Sequence, residues 1–141
     1  MIYNIIEYSG MNEIVFDMKK EDIDSRVKNK YFFVKSSTEN TGESIETYKE
    51  FFIYYDKNNK IEAIEFHNFA EAEVIFQGIN LFSLTYEEIK SYVEKSDLMI
   101  KTDGAGFVSF KLGIGIYAPS AEKEPDELVE GIIIFKKGYY D

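Results

Sequence analysis

Asp56, Asn58 and Lys60 alternate as the first three ligands of a calcium loop do, and such a loop would be the most definite chemistry in this chain. The match stops there. Lys60 sits where an acceptor oxygen belongs, Ile61 replaces the glycine of the sharp turn, and His67 stands at the closing glutamate position. The segment reads instead as a hairpin turn. Gly104-Ala105-Gly106 and Gly113-Ile114-Gly115 suggest a phosphate cradle, which needs a preceding strand, a following helix and a lysine. Neither stretch has that context, so both read as turns or strand bends.

His67 is the only histidine, and one imidazole cannot complete a triad or a multi-histidine metal site. It reads as a structural or exposed strand-end residue. Two carboxylates about 5 to 9 Å apart, one of them in an apolar pocket, would do glycosidase-type chemistry. With 26 acidic side chains, chance brings some pair to that spacing, so no pair is singled out. No catalytic residue, cofactor or metal ligand is assigned. The tyrosines carry more information. Tyr54, Tyr55 and Tyr117 lie in predicted strands, and Tyr139-Tyr140-Asp141 follows Lys136-Lys137-Gly138 at the end of the chain. Tyrosine serves a core when its hydroxyl is satisfied and anchors protein interfaces when it is not covered. Tyr54, Glu62 and Tyr117 are the candidate partner-binding residues, an aromatic and acidic set suited to a basic protein.

The elements that must position these residues follow from periodicity. Phe16 to Val27 aligns without gaps on Phe82 to Val93, with Phe, Glu, Ile, Ser and Val identical in register, so the chain reads as two internal repeats, about 13–66 and 81–135. Phe16, Ile23, Val27, Phe82, Ile89 and Val93 are the expected buried positions. Strands are predicted over Glu13–Phe16 and Tyr31–Lys35, with a helix over Lys19–Lys28 between them. Ser36–Thr47, polar and turn-rich, is predicted to be a mobile loop. Tyr48–Phe66 is predicted to be a hairpin turning at Asp56-Lys57-Asn58-Asn59-Lys60. Glu73–Phe76 is a further strand and Gly78-Ile79-Asn80 a turn. Thr85 with Glu88 forms a capping box that opens a helix to Lys95. Leu98–Lys101, Gly106–Phe110, Leu112–Ala118 and Gly131–Lys136 complete the strands, and Pro119–Val129 is an acidic connection. The expected fold class is α+β: two tandem helix-plus-antiparallel-strand repeats sharing one sheet and core in a single domain, 1–141, with the helices on one face and the other sheet face exposed.

Composition narrows the function. Hydrophobic residues at 45% exclude wholesale disorder, and no apolar run approaches the ~18 residues of a membrane helix. The absence of cysteine removes disulfides and thiolate chemistry, which leaves packing by 12 Phe and 11 Tyr to supply stability. The first residues lack a basic region and a cleavage site, so no signal peptide is expected, and a cytoplasmic location follows. A net charge of −10 opposes phosphate backbones and excludes nucleic acid as the expected ligand. It suits steering toward a basic protein partner. The chain is expected to be a monomer or a homodimer without a membrane partner.

Gly10 with Ile14-Val15-Phe16-Asp17-Met18-Lys19-Lys20-Glu21-Asp22-Ile23, then Ile53-Tyr54-Tyr55-Asp56, Gly78-Ile79-Asn80-Leu81-Phe82 and Gly138-Tyr139-Tyr140-Asp141 together resemble a group of small, largely uncharacterised bacterial cytosolic proteins. That resemblance brings no active site with it. The helix-then-hairpin order is also similar in outline to the tandem modules of the beta-lactamase inhibitor protein family, whose concave sheet grips a target enzyme. The second helix per module, the secretion signal and the disulfides of that family are missing here, so none of its binding residues carries over. The sequence points to a non-catalytic protein-binding or inhibitory module, immunity-like, presenting an acidic aromatic sheet face to a partner. The alternative is a small-ligand-binding protein or a hydrolase using a carboxylate pair.

Overall fold

The computed structural model describes residues 1–68 and 72–140; Asp141, which closes one of the quoted motifs, lies outside them. In chain order the elements are β1 (Ile2–Ile6), β2 (Gly10–Met11), β3 (Ile14–Val15), α1 (Ser25–Lys30), β4 (Phe33–Thr38), β5 (Ser44–Tyr48), β6 (Phe51–Tyr55) and β7 (Ile61–His67). After these come β8 (Glu73–Phe76), β9 (Ile79–Asn80), α2 (Tyr86–Glu94), β10 (Lys101–Asp103), β11 (Gly106–Ser109), β12 (Ile114–Tyr117) and β13 (Gly131–Phe135). The strands form two sheets. One has eight strands in the order β10-β11-β12-β13-β7-β6-β5-β4, all antiparallel, and the other has five in the order β3-β2-β1-β8-β9. In the smaller sheet β1 and β8 run parallel.

The expected α+β fold, with two repeats contributing helices to one face of a single sheet, is therefore corrected to a sheet-dominated fold with two sheets and short helices of six and nine residues. Two local causes account for the difference. Thr85 and Glu88 do form the capping box, and α2 starts where expected. The residue aligned with Thr85 is Lys19, which has no side-chain acceptor. Lys20–Asp22 makes only a turn of 3₁₀ helix, and α1 begins later, where Asp24 accepts a hydrogen bond from the Val27 amide. The predicted helix over Lys19–Lys28 is thus broken and displaced. The second cause is the polar stretch from Ser36 to Thr47, which is no loop. Its two ends pair as β4 and β5, because ladder hydrogen bonds use backbone groups and need no apolar side chain.

Cross-strand register builds the core. Phe51, Phe66, Ile132, Ile116 and Phe107 stand side by side across five strands, and Ile53, Ile64, Ile134 and Ile114 form the next row. All nine are buried. The smaller sheet covers this inner face through Tyr3 of β1, whose ring lies 5.4 Å from that of Phe51 and 5.2 Å from that of Phe66. On the same side, Tyr86 of α2 packs edge-on to Phe107 at 5.8 Å. Among the described residues no helix is long and apolar enough to cross a membrane.

Phe16, Ile23, Val27, Phe82, Ile89 and Val93 are all buried, although α1 and α2 do not coincide in register and only Val27, Ile89 and Val93 lie within them. Burying an isoleucine this completely stabilises the fold through transfer and close packing together. Ile89→Ala and Ile23→Ala are each expected to cost about 2 to 5 kcal/mol in denaturant unfolding. An unchanged unfolding midpoint for Ile89→Ala would contradict the packing described.

Candidate functional site

Alternation along the strands gives the eight-stranded sheet an outer face with a different composition. Thr47, Phe52, Glu65, Ile133, Gly115, Val108 and Lys101 form one outer row, and His67, Gly131, Tyr117, Gly106 and Asp103 form the next. Ile45, Tyr54, Ala63 and Phe135 make a third. The chain end folds back over part of this face. Tyr139 stacks on Phe135 with ring centroids 5.9 Å apart, and Tyr140 meets Phe135 edge-on at 4.9 Å.

All three candidate residues can now be placed. Tyr54 is half-buried on the outer face and donates a hydrogen bond of 2.7 Å to Glu65 Oε1. Tyr117 is 51% exposed in the row of Gly131 and Gly106. Glu62 is the extra residue of a bulge, since Tyr54 pairs with Ala63 and Tyr55 with Ile61. Ordinary alternation along β6 puts Tyr55 on the opposite side from Tyr54: Tyr55 is fully buried on the inner face and donates to Glu46 Oε1. Asp56 is the acceptor of an ordinary turn, with its Oδ1 taking the amides of Asn58 at 2.8 Å and Lys60 at 3.0 Å. His67 lies on the outer face with its ring 4.3 Å from that of Phe52.

The field over this face is negative. Burial first, and then the charges of Glu43 and Asp56, push the Glu62 carboxyl up, with Lys136 opposing them. Lys136 is itself engaged, 3.0 Å from Asp17 Oδ1 and 3.7 Å from Asp56 Oδ2. Burial raises the Tyr54 hydroxyl, helped by its hydrogen bond to Glu65 and by the Glu65 charge. Tyr139 is pushed up to about 12 by burial, then by Tyr140 and the carboxylates of Glu62, Glu65 and Glu43.

Between the first two outer rows runs an open trough of about 150 Å³. Its floor includes Gly106, Gly115 and Gly131, its sides Val108, Ile133, Tyr117 and Tyr140, and its ends Glu65 and Asp103. Sequence reasoning missed Glu65, Asp103 and the glycine floor, and noted Tyr140 without assigning it to the candidate set. Glu65 was accessible through the alternation of β7, between the inward Ile64 and Phe66. The glycines come from three strands whose juxtaposition has no local signal. Glu65 and Asp103 belong to strands four places apart, roughly 19 Å at ordinary strand spacing, which is too far for them to work as an acid–base pair. Among the described residues no group of three or more histidine or carboxylate side chains is gathered to hold a metal ion. No protein-family model, no curated protein and no solved structure matches the chain.

The raised tyrosines make stability depend on pH in one direction. The folded state holds the protons of Tyr3, Tyr48, Tyr54 and Tyr55 above the ordinary tyrosine value of 10.0, in each case chiefly through burial. That stability is fully present below the unfolded value and is lost as pH rises through it toward the folded values. Urea midpoints are expected to be level between about pH 7 and 9 and to fall steeply above about pH 10. A level midpoint throughout would mean that the hydroxyls ionise in the folded protein without cost.

Proposed function

We propose that the chain is a non-catalytic protein-binding or inhibitory module, immunity-like, which docks a basic partner protein on the outer face of its eight-stranded sheet. One observation carries this reading. The inner face is closed by the second sheet and the helices, whereas the outer face leaves Phe52, Tyr54, Tyr117 and Tyr140 half-buried or exposed beside Glu62, Glu65 and Asp103. Half-exposed tyrosines contribute large contact area at little entropic cost, and uncompensated carboxylates attract cationic groups over a Debye length. A small-ligand protein or hydrolase is less well supported, because the two trough carboxylates stand too far apart and the trough is shallow. The encounter is placed in the cytoplasm, in keeping with a chain that has no cysteine.

The test uses the full chain as bait in extracts of its source cell, in wild-type form and as Tyr54→Ala and Tyr117→Ala, at low and at physiological salt. A basic protein retained by the wild type is expected to bind about tenfold or more weakly to each variant and to associate markedly more slowly as salt rises. Tyr117→Ala should leave the thermal midpoint nearly unchanged, because the residue is half exposed. A retained protein indifferent to both substitutions and to salt would refute the outer face as the docking surface.

A further inference from the structure

The trough has features that the sheet itself does not require. Gly106 and Gly115 are internally constrained, since an added Cβ would lie 1.8 Å from the Ile116 carbonyl oxygen and 2.8 Å from Ile133 Cγ2 respectively. Gly131 is different. Its φ lies outside the left-handed range, and an added Cβ would meet nothing nearer than the Phe66 carbonyl oxygen at 3.5 Å. A side chain would fit there and would stand in the trough. Glycine inside a strand forgoes packing and costs entropy, so a glycine that its own surroundings do not demand marks a place where something approaches closely.

The charge on the trough indicates what approaches. No lysine or arginine lines it, and its two carboxylates, Glu65 and Asp103, form no ion pair among the described residues. Glu65 Oε1 accepts from Tyr54 and Asp103 Oδ1 accepts from the Ala105 amide at 2.7 Å, which leaves one oxygen on each carboxylate available. Tyr117 and Tyr140 add ring faces that attract cations. At about 150 Å³ the trough is well below the about 300 to 1,000 Å³ of small-molecule pockets. It is long and shallow, running across the strands from β7 to β10.

We infer that the trough receives an extended basic segment of the partner, with one cationic side chain paired to Glu65 and another to Asp103. The inference rests on the outer face being the docking surface. A span of roughly 19 Å corresponds to about six residues of extended chain, and an even separation keeps both cationic side chains on the same side. The backbone between them would pass over Gly131.

Fluorescence anisotropy tests this with labelled peptides of about seven residues, Arg at both ends and Ser and Thr between, against the same peptide with Glu at both ends. The full-length wild-type chain is expected to bind the Arg peptide at least about tenfold more tightly than the Glu peptide. Gly131→Ile, which fills the floor, and Asp103→Asn, an exposed and nearly isosteric change, are each expected to weaken the Arg peptide severalfold, with circular dichroism and thermal midpoint retained for Asp103→Asn. Equal affinity for the two peptides, or an Arg-peptide affinity unmoved by Asp103→Asn, would overturn the assignment. Tyr54 lies outside the trough, so loss of the natural partner by Tyr54→Ala alongside either of those results would reject the trough while sparing the docking face.

Discussion

The pairing of β7 with β13 is the contact on which the rest of the sheet depends. It joins the meander β4–β7 to the meander β10–β13, and it sets Phe66 beside Ile132 and Ile64 beside Ile134. Because side chains alternate with a period of two, a slip of one residue would send Ile132 and Ile134 to the outer face and bring Ile133 inward. Each buried row of the inner face runs through this junction. So do the outer rows, where Glu65 stands beside Ile133 and His67 beside Gly131. Core and trough are thus set by the same register.

The second inner row ends in polar residues on both sides, with Glu46 beside Ile53 and Ser109 beside Ile114. A carboxylate with no exposure is costly unless its oxygens are engaged. Glu46 receives hydroxyls from Tyr55 and, at 3.4 Å, from Tyr48, and Lys28 of α1 lies 3.5 Å from its other oxygen. Ser109 donates to Asp97 Oδ2 at 2.7 Å and accepts from the Leu112 amide at 3.1 Å. These bonds fix where α1 and the end of α2 sit against the sheet, so the short helices are positioned by directional contacts as well as by apolar burial. They also consume the hydroxyls of Tyr48 and Tyr55, which therefore have none to offer a ligand.

The two faces differ in how their aromatics are covered. On the inner face Tyr3, Tyr48 and Tyr55 are enclosed and their hydroxyls are paired inside the protein. The outer face carries aromatics of similar size, yet Tyr117 and Tyr140 keep about half their surface in water, and the nearby carboxylates outnumber the cations. The bulge at Glu62 inserts an acidic residue into β7 and lets Ile61 stay buried opposite Tyr55.

Strong local signals were legible in the sequence. The hairpin from Phe51 to His67, the capping box at Thr85 and Glu88, and the six buried positions shared by the two aligned segments each depend on residues close in the chain. Backbone pairing without an apolar pattern left no such trace, which is why the second half of β4 and most of β5 were hidden in a polar stretch, and α1 begins only where Asp24 caps it. The burial of Ile61 opposite Tyr55 was decided by a single extra residue in β7. The trough was decided by strands that meet only in space, with Gly106, Gly115 and Gly131 brought side by side between Glu65 and Asp103. Local propensity is short-ranged, whereas register and strand order are set by the free energy of burying whole rows at once, and that quantity exists only in the folded chain.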